Sequence, residues 1–207
     1  MVIQPPLHFR LDTYDPTATL RAAIERHVKD AKWLPAYDEV AAWLSDNQSR
    51  GLLCVGPCGL GKSVICAQCL PLIFERAFDG FGVMVVTATE MNQKIDELLA
   101  FCGYRHIIVI DDLGTEAPET VTYGNRRRPF CELADTAERT GTLLIITTNL
   151  RTTRDTDPRR NYPSIQDRYG DPTIDRLRAI TKVIVFRGES LRHAERRQPS
   201  SAPGNHL

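Results

Sequence analysis

Five short apolar runs recur along the chain, and they are separated by stretches long enough for helices. The runs cover residues 51–55, 83–86, 107–110, 143–146 and 183–186. Continuous apolar runs of this length are typical of parallel strands that are covered by helices on both faces. The pattern therefore predicts an α/β fold with a doubly wound, mainly parallel five-stranded sheet and helices on both faces.

The segments between these runs predict helices and loops. Asp15 followed by Pro16 is typical of a helix start, and Pro35 predicts a second one before the first strand. One helix is expected between the second and third strands, at 87–105, and polar loops are expected at 117–129 and 151–168. We divide the chain into a lead-in with one helix (1–35), a core (36–192) and a tail (193–207) that is predicted to be disordered.

The composition of the chain excludes some classes of protein but does not by itself indicate a function. The chain has 207 residues with 26 basic and 26 acidic side chains, so its formal net charge is zero. This size favours one domain, and the neutral balance means that any contact with nucleic acid must come from local basic patches. The N-terminus does not resemble a signal peptide, and no apolar run approaches the length that crosses a membrane. We expect a cytoplasmic protein with no membrane partner.

A glycine-rich loop with the form G-x-x-x-x-G-K-S follows the first apolar run. Its glycines allow backbone N–H groups to surround an anion, and the helix predicted from Lys62 to about Leu70 directs its N-terminus at the same anion. Lys62 would reach the terminal phosphates of ATP, and the Ser63 hydroxyl would hold Mg²⁺. A turn that binds nothing is the alternative, but strand, loop and helix occur in the order of a P-loop. The predicted nucleotide-binding residues are Gly56, Pro57, Cys58, Gly59, Leu60, Gly61, Lys62, Ser63 and Val64.

The third apolar run ends in two adjacent acids. Asp111 suits the role of the acid that holds Mg²⁺ beside Ser63. Asp112 is assigned to polarise the attacking water, although an ordinary turn residue is the alternative. Glu116 is close enough in sequence to compete for the same role.

Two polar segments carry arginines that suit a phosphate backbone. Arg126, Arg127 and Arg128 lie in the first predicted loop, and Arg159 and Arg160 lie in the second, near an aromatic residue. Basic residues beside an aromatic residue favour the binding of single-stranded nucleic acid, whereas the alternative is an ordinary solvated surface with no ligand.

Several motifs together resemble the AAA+ ATPases of the DnaC-type helicase loaders and IstB-type transposition helpers. The resemblance spans roughly residues 36–192 and rests on GPCGLGKS, IIVIDDLGTE, LIITTNL, YGDPTIDRLR and RGESLR, in that order. It implies that Asn149 is the sensor-1 residue, that Arg176 is the arginine finger given to a neighbouring subunit, with Arg178 as a substitute, and that Arg192 is the sensor-2 arginine. A planar cation suits charge that develops on a transferred phosphoryl group.

The resemblance also implies a function. The chain is expected to bind and hydrolyse ATP with Mg²⁺, to assemble as a homo-oligomer on single-stranded DNA, and to act on a replicative helicase during DNA replication. Two alternatives stay open: an IstB-like helper whose client is a transposase, and a nucleotide-dependent binding module with little hydrolysis.

Overall fold

Five parallel strands form the central sheet of the computed structural model, which describes residues 7–11, 15–122, 124–154 and 163–191. The strands are β1 (Gly51–Val55), β2 (Gly82–Thr87), β3 (His106–Leu113), β6 (Leu143–Thr148) and β7 (Thr181–Val185). Their order is β2-β3-β6-β1-β7, and every neighbouring pair is parallel. The predicted five-stranded α/β sheet is therefore confirmed.

Helices cover both faces of this sheet, as the apolar runs predicted. One face packs on the first three helices, and the other packs on the remaining five. Alternate residues of β1 divide between the two layers, with Leu52 on the first side and Leu53 on the second. The helices are α1 (Pro16–Glu25), α2 (Pro35–Ser45), α3 (Leu70–Ala77), α4 (Ala88–Gln93), α5 (Ile95–Phe101), α6 (Pro129–Thr140), α7 (Ile165–Tyr169) and α8 (Asp171–Ile180).

The helix after the glycine-rich loop runs farther than expected. A π-helical turn, Val64–Cys69, leads directly into α3, so Pro71 lies inside the helix, which continues past the end predicted at about Leu70. The N–H of Leu70 donates to the carbonyl of Ile65, five residues back. A proline has no N–H and crowds the carbonyl four residues before it. The wider turn just ahead of Pro71 accommodates that misfit, and the helix continues to Ala77.

The segment 87–105 forms two helices, and the expectation of a single helix is wrong. Thr87 begins α4 with a capping box, in which its hydroxyl accepts from the Glu90 N–H at 3.2 Å and the Glu90 carboxylate accepts from the Thr87 N–H at 2.8 Å. Lys94 leaves helical geometry between α4 and α5. The capping box fixes where α4 starts, and the non-helical backbone of Lys94 divides the segment into two short helices.

A β-hairpin occupies the segment that was predicted to be a polar loop. Its strands are β4 (Thr120–Thr122) and β5 (Asn125–Arg127), and they pair antiparallel. Gly124 has a φ of 81° in the turn, which glycine adopts without strain. No helix in the described ranges is both long and apolar enough to span a bilayer.

Candidate nucleotide-binding site

A cleft of about 410 Å³ opens beside the loop that joins β1 to the π-helical turn. Gly59 and Gly61 have φ values of 84° and 79°, a region that favours glycine. Space makes the same demand, because a Cβ on Gly59 would lie 2.1 Å from the Ser190 hydroxyl and one on Gly61 would lie 2.4 Å from the Tyr37 hydroxyl. The loop therefore has the glycines that its close packing requires.

Two distant segments hold this loop in place. The Tyr37 hydroxyl on α2 donates to the carbonyl of Leu60 at 3.1 Å, and the Leu191 N–H donates to the carbonyl of Gly59 at 2.9 Å. Burial raises the pKa of Tyr37, and the neighbouring Cys69 adds to the increase. Tyr37 therefore stays a neutral hydrogen-bond donor, and the shape of the loop is fixed from both sides.

Lys62 lines the cleft and is almost completely buried, with 5% of its surface exposed. Its Nζ donates to the carbonyls of Gly56 at 2.7 Å and Pro57 at 2.8 Å, and to Oδ1 of Asn149 at 3.0 Å. Burial lowers the pKa of Lys62, whereas the nearby Cys58, Asp112 and Asp111 act in the opposite direction. The ammonium group thus joins the glycine-rich loop to the end of β6, where Asn149 also lines the cleft.

Thr147 on β6 fixes both acids of β3. Its hydroxyl donates to Oδ1 of Asp111 at 2.6 Å and accepts from the N–H of Asp112 at 2.8 Å. The register between β3 and β6 shifts between Ile110 and Leu113, and Asp112 has a φ of 56°. Strand β3 continues past the two acids to Leu113, whereas the sequence predicted that the strand ends at Asp111 and Asp112. Asp112 lines the cleft together with Lys62 and Ser63.

These donors suit a magnesium nucleotide. Mg²⁺ prefers oxygen ligands, and it is commonly held by one or two protein groups together with phosphates. Ser63 and Asp112 both line the cleft, whereas Asp111 does not line it. Asp111 is held by the Thr147 hydroxyl and lies close enough to Lys62 to affect the charge of the ammonium group. The buried ammonium of Lys62 supplies the positive charge that phosphates need. The residues present therefore fit both ATP and Mg²⁺.

Glu116 lies apart from the other predicted catalytic residues. Its side chain is 1% exposed and does not line the cleft. The carboxylate accepts from the Gly114 N–H at 2.8 Å and from the Tyr169 hydroxyl. Each oxygen of this carboxylate therefore has a hydrogen-bond donor outside the cleft. Arg192, the predicted sensor-2 residue, lies outside the described residues, although its neighbour Leu191 lines the cleft.

Arg176 lies on α8 and makes two ion pairs with α6. Its Nε is 2.6 Å from Glu138, and a terminal nitrogen is 2.9 Å from Asp135. It does not line the cleft of its own chain. Arg178 is exposed on the same helix and pairs with Asp175 at 3.3 Å.

The structure separates the arginines that were predicted to contact nucleic acid. Arg127 pairs with Asp96 at 2.7 Å and with Glu132 at 2.6 Å, and these partners raise its pKa, Glu132 most strongly. Arg126 and Arg128 are exposed, and the Arg128 guanidinium reaches the Arg168 carbonyl at 3.4 Å. Arg127 thus anchors the hairpin to the domain. Arg159 and Arg160 lie outside the described residues.

One wall of the cleft was not predicted. It consists of residues 28–32, which follow α1, together with Ile24, Tyr37, Ile65 and Leu191. Lys29, Asp30 and Lys32 are charged, whereas the apolar side chains of Ile24, Val28 and Leu191 give the cleft a surface on which a flat ring can pack. No local pattern marks residues 28–32, since only the fold brings them to the P-loop.

Solved structures share this architecture, although no protein-family model matches the chain and no curated protein matches its sequence. DnaI gives a TM-score of 0.52 at 14% identity, covering 86% of this chain and 94% of that one. AMPPCP-bound DnaA from Aquifex aeolicus gives 0.50 at 16% identity, with 82% of this chain and 51% of that one. The DnaC helicase loader gives 0.48 at 20% identity, with 86% and 96% covered. The expected fold is confirmed: this chain shares with DnaI and DnaA an α/β fold built on a mainly parallel five-stranded sheet with helices on both faces.

Proposed function

We propose that this chain is an ATPase that binds Mg·ATP in the cleft and acts in DNA replication in the manner of a helicase loader. The observation that carries the proposal is the meeting of Lys62, Ser63, Asp112 and Asn149 in one cleft at the carboxyl end of the parallel sheet. Ligands of α/β proteins bind at this edge of the sheet. The four side chains come from three different segments, so local sequence alone does not explain why they meet.

Each residue has a role that its contacts support. The Lys62 ammonium, now shared by two carbonyls and Asn149, holds the terminal phosphates. Ser63 and Asp111 would hold Mg²⁺, which would neutralise phosphate charge when it is bound. Asp112 orients the attacking water and accepts its proton, and Asn149 positions the γ-phosphate or that water. The apolar wall at Ile24, Val28 and Leu191 receives the base.

The role in replication rests on the sequence motifs, and the likeness to DnaI and DnaA adds that the whole fold is compatible. We propose that subunits assemble on single-stranded DNA, with Arg176 of one subunit acting on the nucleotide of the next. A pull-down in ATP tests the partner. A replicative helicase is the expected client, whereas a transposase would favour the IstB-like alternative. Nucleotide binding without phosphate release, with or without single-stranded DNA, would favour a binding module.

Replacing Asp112 with asparagine should leave ATP binding intact and lower turnover by about 100-fold or more, the usual contribution of a positioned base. Asparagine keeps the size of the side chain and loses its basicity. Steady-state phosphate release and calorimetric titration measure the two effects. The matched control is Asp79→Asn in the exposed turn before β2, which should change neither quantity. Turnover that survives in Asp112→Asn contradicts the assignment.

The hairpin arginines should differ in kind when each is replaced by alanine. Arg126→Ala should weaken the binding of single-stranded DNA. It should also reduce the magnitude of the slope of log affinity against log salt concentration by about 1, because one phosphate contact is lost. Arg127→Ala should instead lower the thermal stability, since Asp96 and Glu132 lose their shared partner. Fluorescence anisotropy at several salt concentrations and thermal unfolding distinguish them. An unchanged salt slope for Arg126→Ala would show that DNA does not contact the hairpin.

A further inference from the structure

A buried carboxylate joins the loop after β3 to helix α7. Glu116 is 4% exposed, and its carboxylate accepts from the Tyr169 hydroxyl and lies 3.8 Å from Nε of Arg168. The Arg168 guanidinium also donates to the Glu116 carbonyl. A buried carboxylate is costly unless it is paired, so these contacts define one arrangement of the loop against α7.

Helix α7 is held at its other end by the loop after β6. The N–H of Ile165 donates to the carbonyl of Arg151 at 2.8 Å, two residues after Asn149 in the sequence. Tyr169 is 1% exposed and packs on Phe130 of α6, with ring centroids 4.7 Å apart. Both loops that carry cleft residues from β3 and β6 therefore contact this short helix.

Hydrogen bonds and adjacent residues extend the contacts of Glu116 toward Asp112 on one side and toward helix α8 on the other. On the cleft side, the Thr115 hydroxyl donates to the carbonyl of Asp112 at 2.9 Å, and Gly114 donates to the Glu116 carboxylate. On the other side, Tyr169 is followed by Gly170 and then by α8, and its carbonyl accepts from the Thr173 hydroxyl at 3.0 Å. Helix α8 carries Arg176. A continuous series of hydrogen-bonded and covalently linked groups thus connects Asp112 to the start of α8.

We propose that Glu116 and Tyr169 are positioning residues that couple the cleft of one subunit to the arginine that the same subunit offers to its neighbour. This inference rests on the proposed function, in which Arg176 acts in trans. The Glu116–Tyr169 contact sets where α8 begins relative to Asp112. Loss of the contact misplaces Arg176 and leaves the cleft of the altered subunit able to bind and hydrolyse ATP.

The test is a mixing experiment with Tyr169→Phe, which removes one hydroxyl. The variant alone should bind ATP within about twofold of the unaltered protein and should lose about tenfold or more of its turnover. Addition of Asp112→Asn subunits, which bind ATP without hydrolysing it and keep a normal α8, should restore turnover at the Tyr169→Phe clefts. Failure to restore it places the defect in the cleft or the fold and overturns the inference, as does normal turnover of the variant alone.

A second variant and two controls complete the experiment. Glu116→Gln keeps the side-chain shape, loses the charge facing Arg168, and should show the same loss and the same restoration by Asp112→Asn. Tyr104→Phe, at a tyrosine that is 49% exposed, should change nothing. Arg176→Ala separates the action of Arg176 in trans from the coupling through Glu116 and Tyr169. If Asp112→Asn subunits restore the turnover of Arg176→Ala but not that of Tyr169→Phe or Glu116→Gln, only the coupling is wrong. If Arg176→Ala is not restored, action in trans fails, and the coupling fails with it.

Discussion

Replacing Lys62 with alanine is expected to abolish nucleotide binding. The ammonium group is buried at the floor of the cleft, where its three hydrogen bonds already orient it between the P-loop and Asn149. Charge-assisted hydrogen bonds to phosphate in such a site are strong, and alanine leaves no cation to replace them. We expect an affinity loss of at least about 100-fold, which corresponds to about 2.8 kcal/mol. Calorimetry at millimolar Mg·ATP measures it.

The result needs a control for the shape of the loop, because alanine also leaves the carbonyls of Gly56 and Pro57 without their donor. Thermal unfolding of Lys62→Ala shows whether the domain remains folded. Lys94→Ala, at an exposed lysine between α4 and α5, is the matched control and should bind normally. A folded Lys62→Ala protein that still gives the full heat of association means that the phosphates lie elsewhere, and the roles of Ser63, Asp111 and Asp112 are then wrong as well.

The strands were predictable because each is buried on both faces, which leaves a continuous apolar run in the sequence. Leu52 and Leu53 illustrate this, since they are adjacent residues that enter opposite layers of the core. The hairpin β4–β5 was missed because its strands are short and polar. A signal was present, however. Three β-branched residues, Thr120–Thr122, are followed by Gly124 and Asn125, and this pattern is typical of a strand that ends in a turn.

The site was predictable where chemistry and local geometry coincide. The glycine-rich loop and the two acids of β3 are contiguous motifs whose spacing can be recognised in the sequence. Partners that are distant in sequence left no such mark. Tyr169 is 53 residues from Glu116, and the chain supplies no periodicity that would pair them. Burial of a carboxylate depends on the whole fold, so Glu116 was read as a competitor of Asp112, whereas the structure engages it with α7.

Replacing Arg176 with alanine is expected to spare ATP binding and to lower turnover by about 1,000-fold, the lower end of what an arginine finger supplies. The side chain does not line its own cleft, so the affinity should stay within about twofold. Its ion pairs with Asp135 and Glu138 are partly exposed, and such pairs contribute little to stability, so the fold should tolerate their loss. Phosphate release, nucleotide titration and thermal unfolding measure the three quantities.

The dependence of turnover on protein concentration makes this prediction specific. If Arg176 acts on a neighbour, turnover per subunit of the unaltered protein should rise with concentration as subunits assemble, whereas Arg176→Ala should stay low throughout. Arg178→Ala, on the same helix and paired only with Asp175 among the described residues, is the matched control and should follow the unaltered protein. Normal turnover of Arg176→Ala would show that the finger is assigned to the wrong residue, and loss in Arg178→Ala alone would move it there. Asp135 and Glu138 hold Arg176 within its own subunit, so the phosphate of a neighbour would have to compete with two carboxylates for this side chain if Arg176 acts in trans.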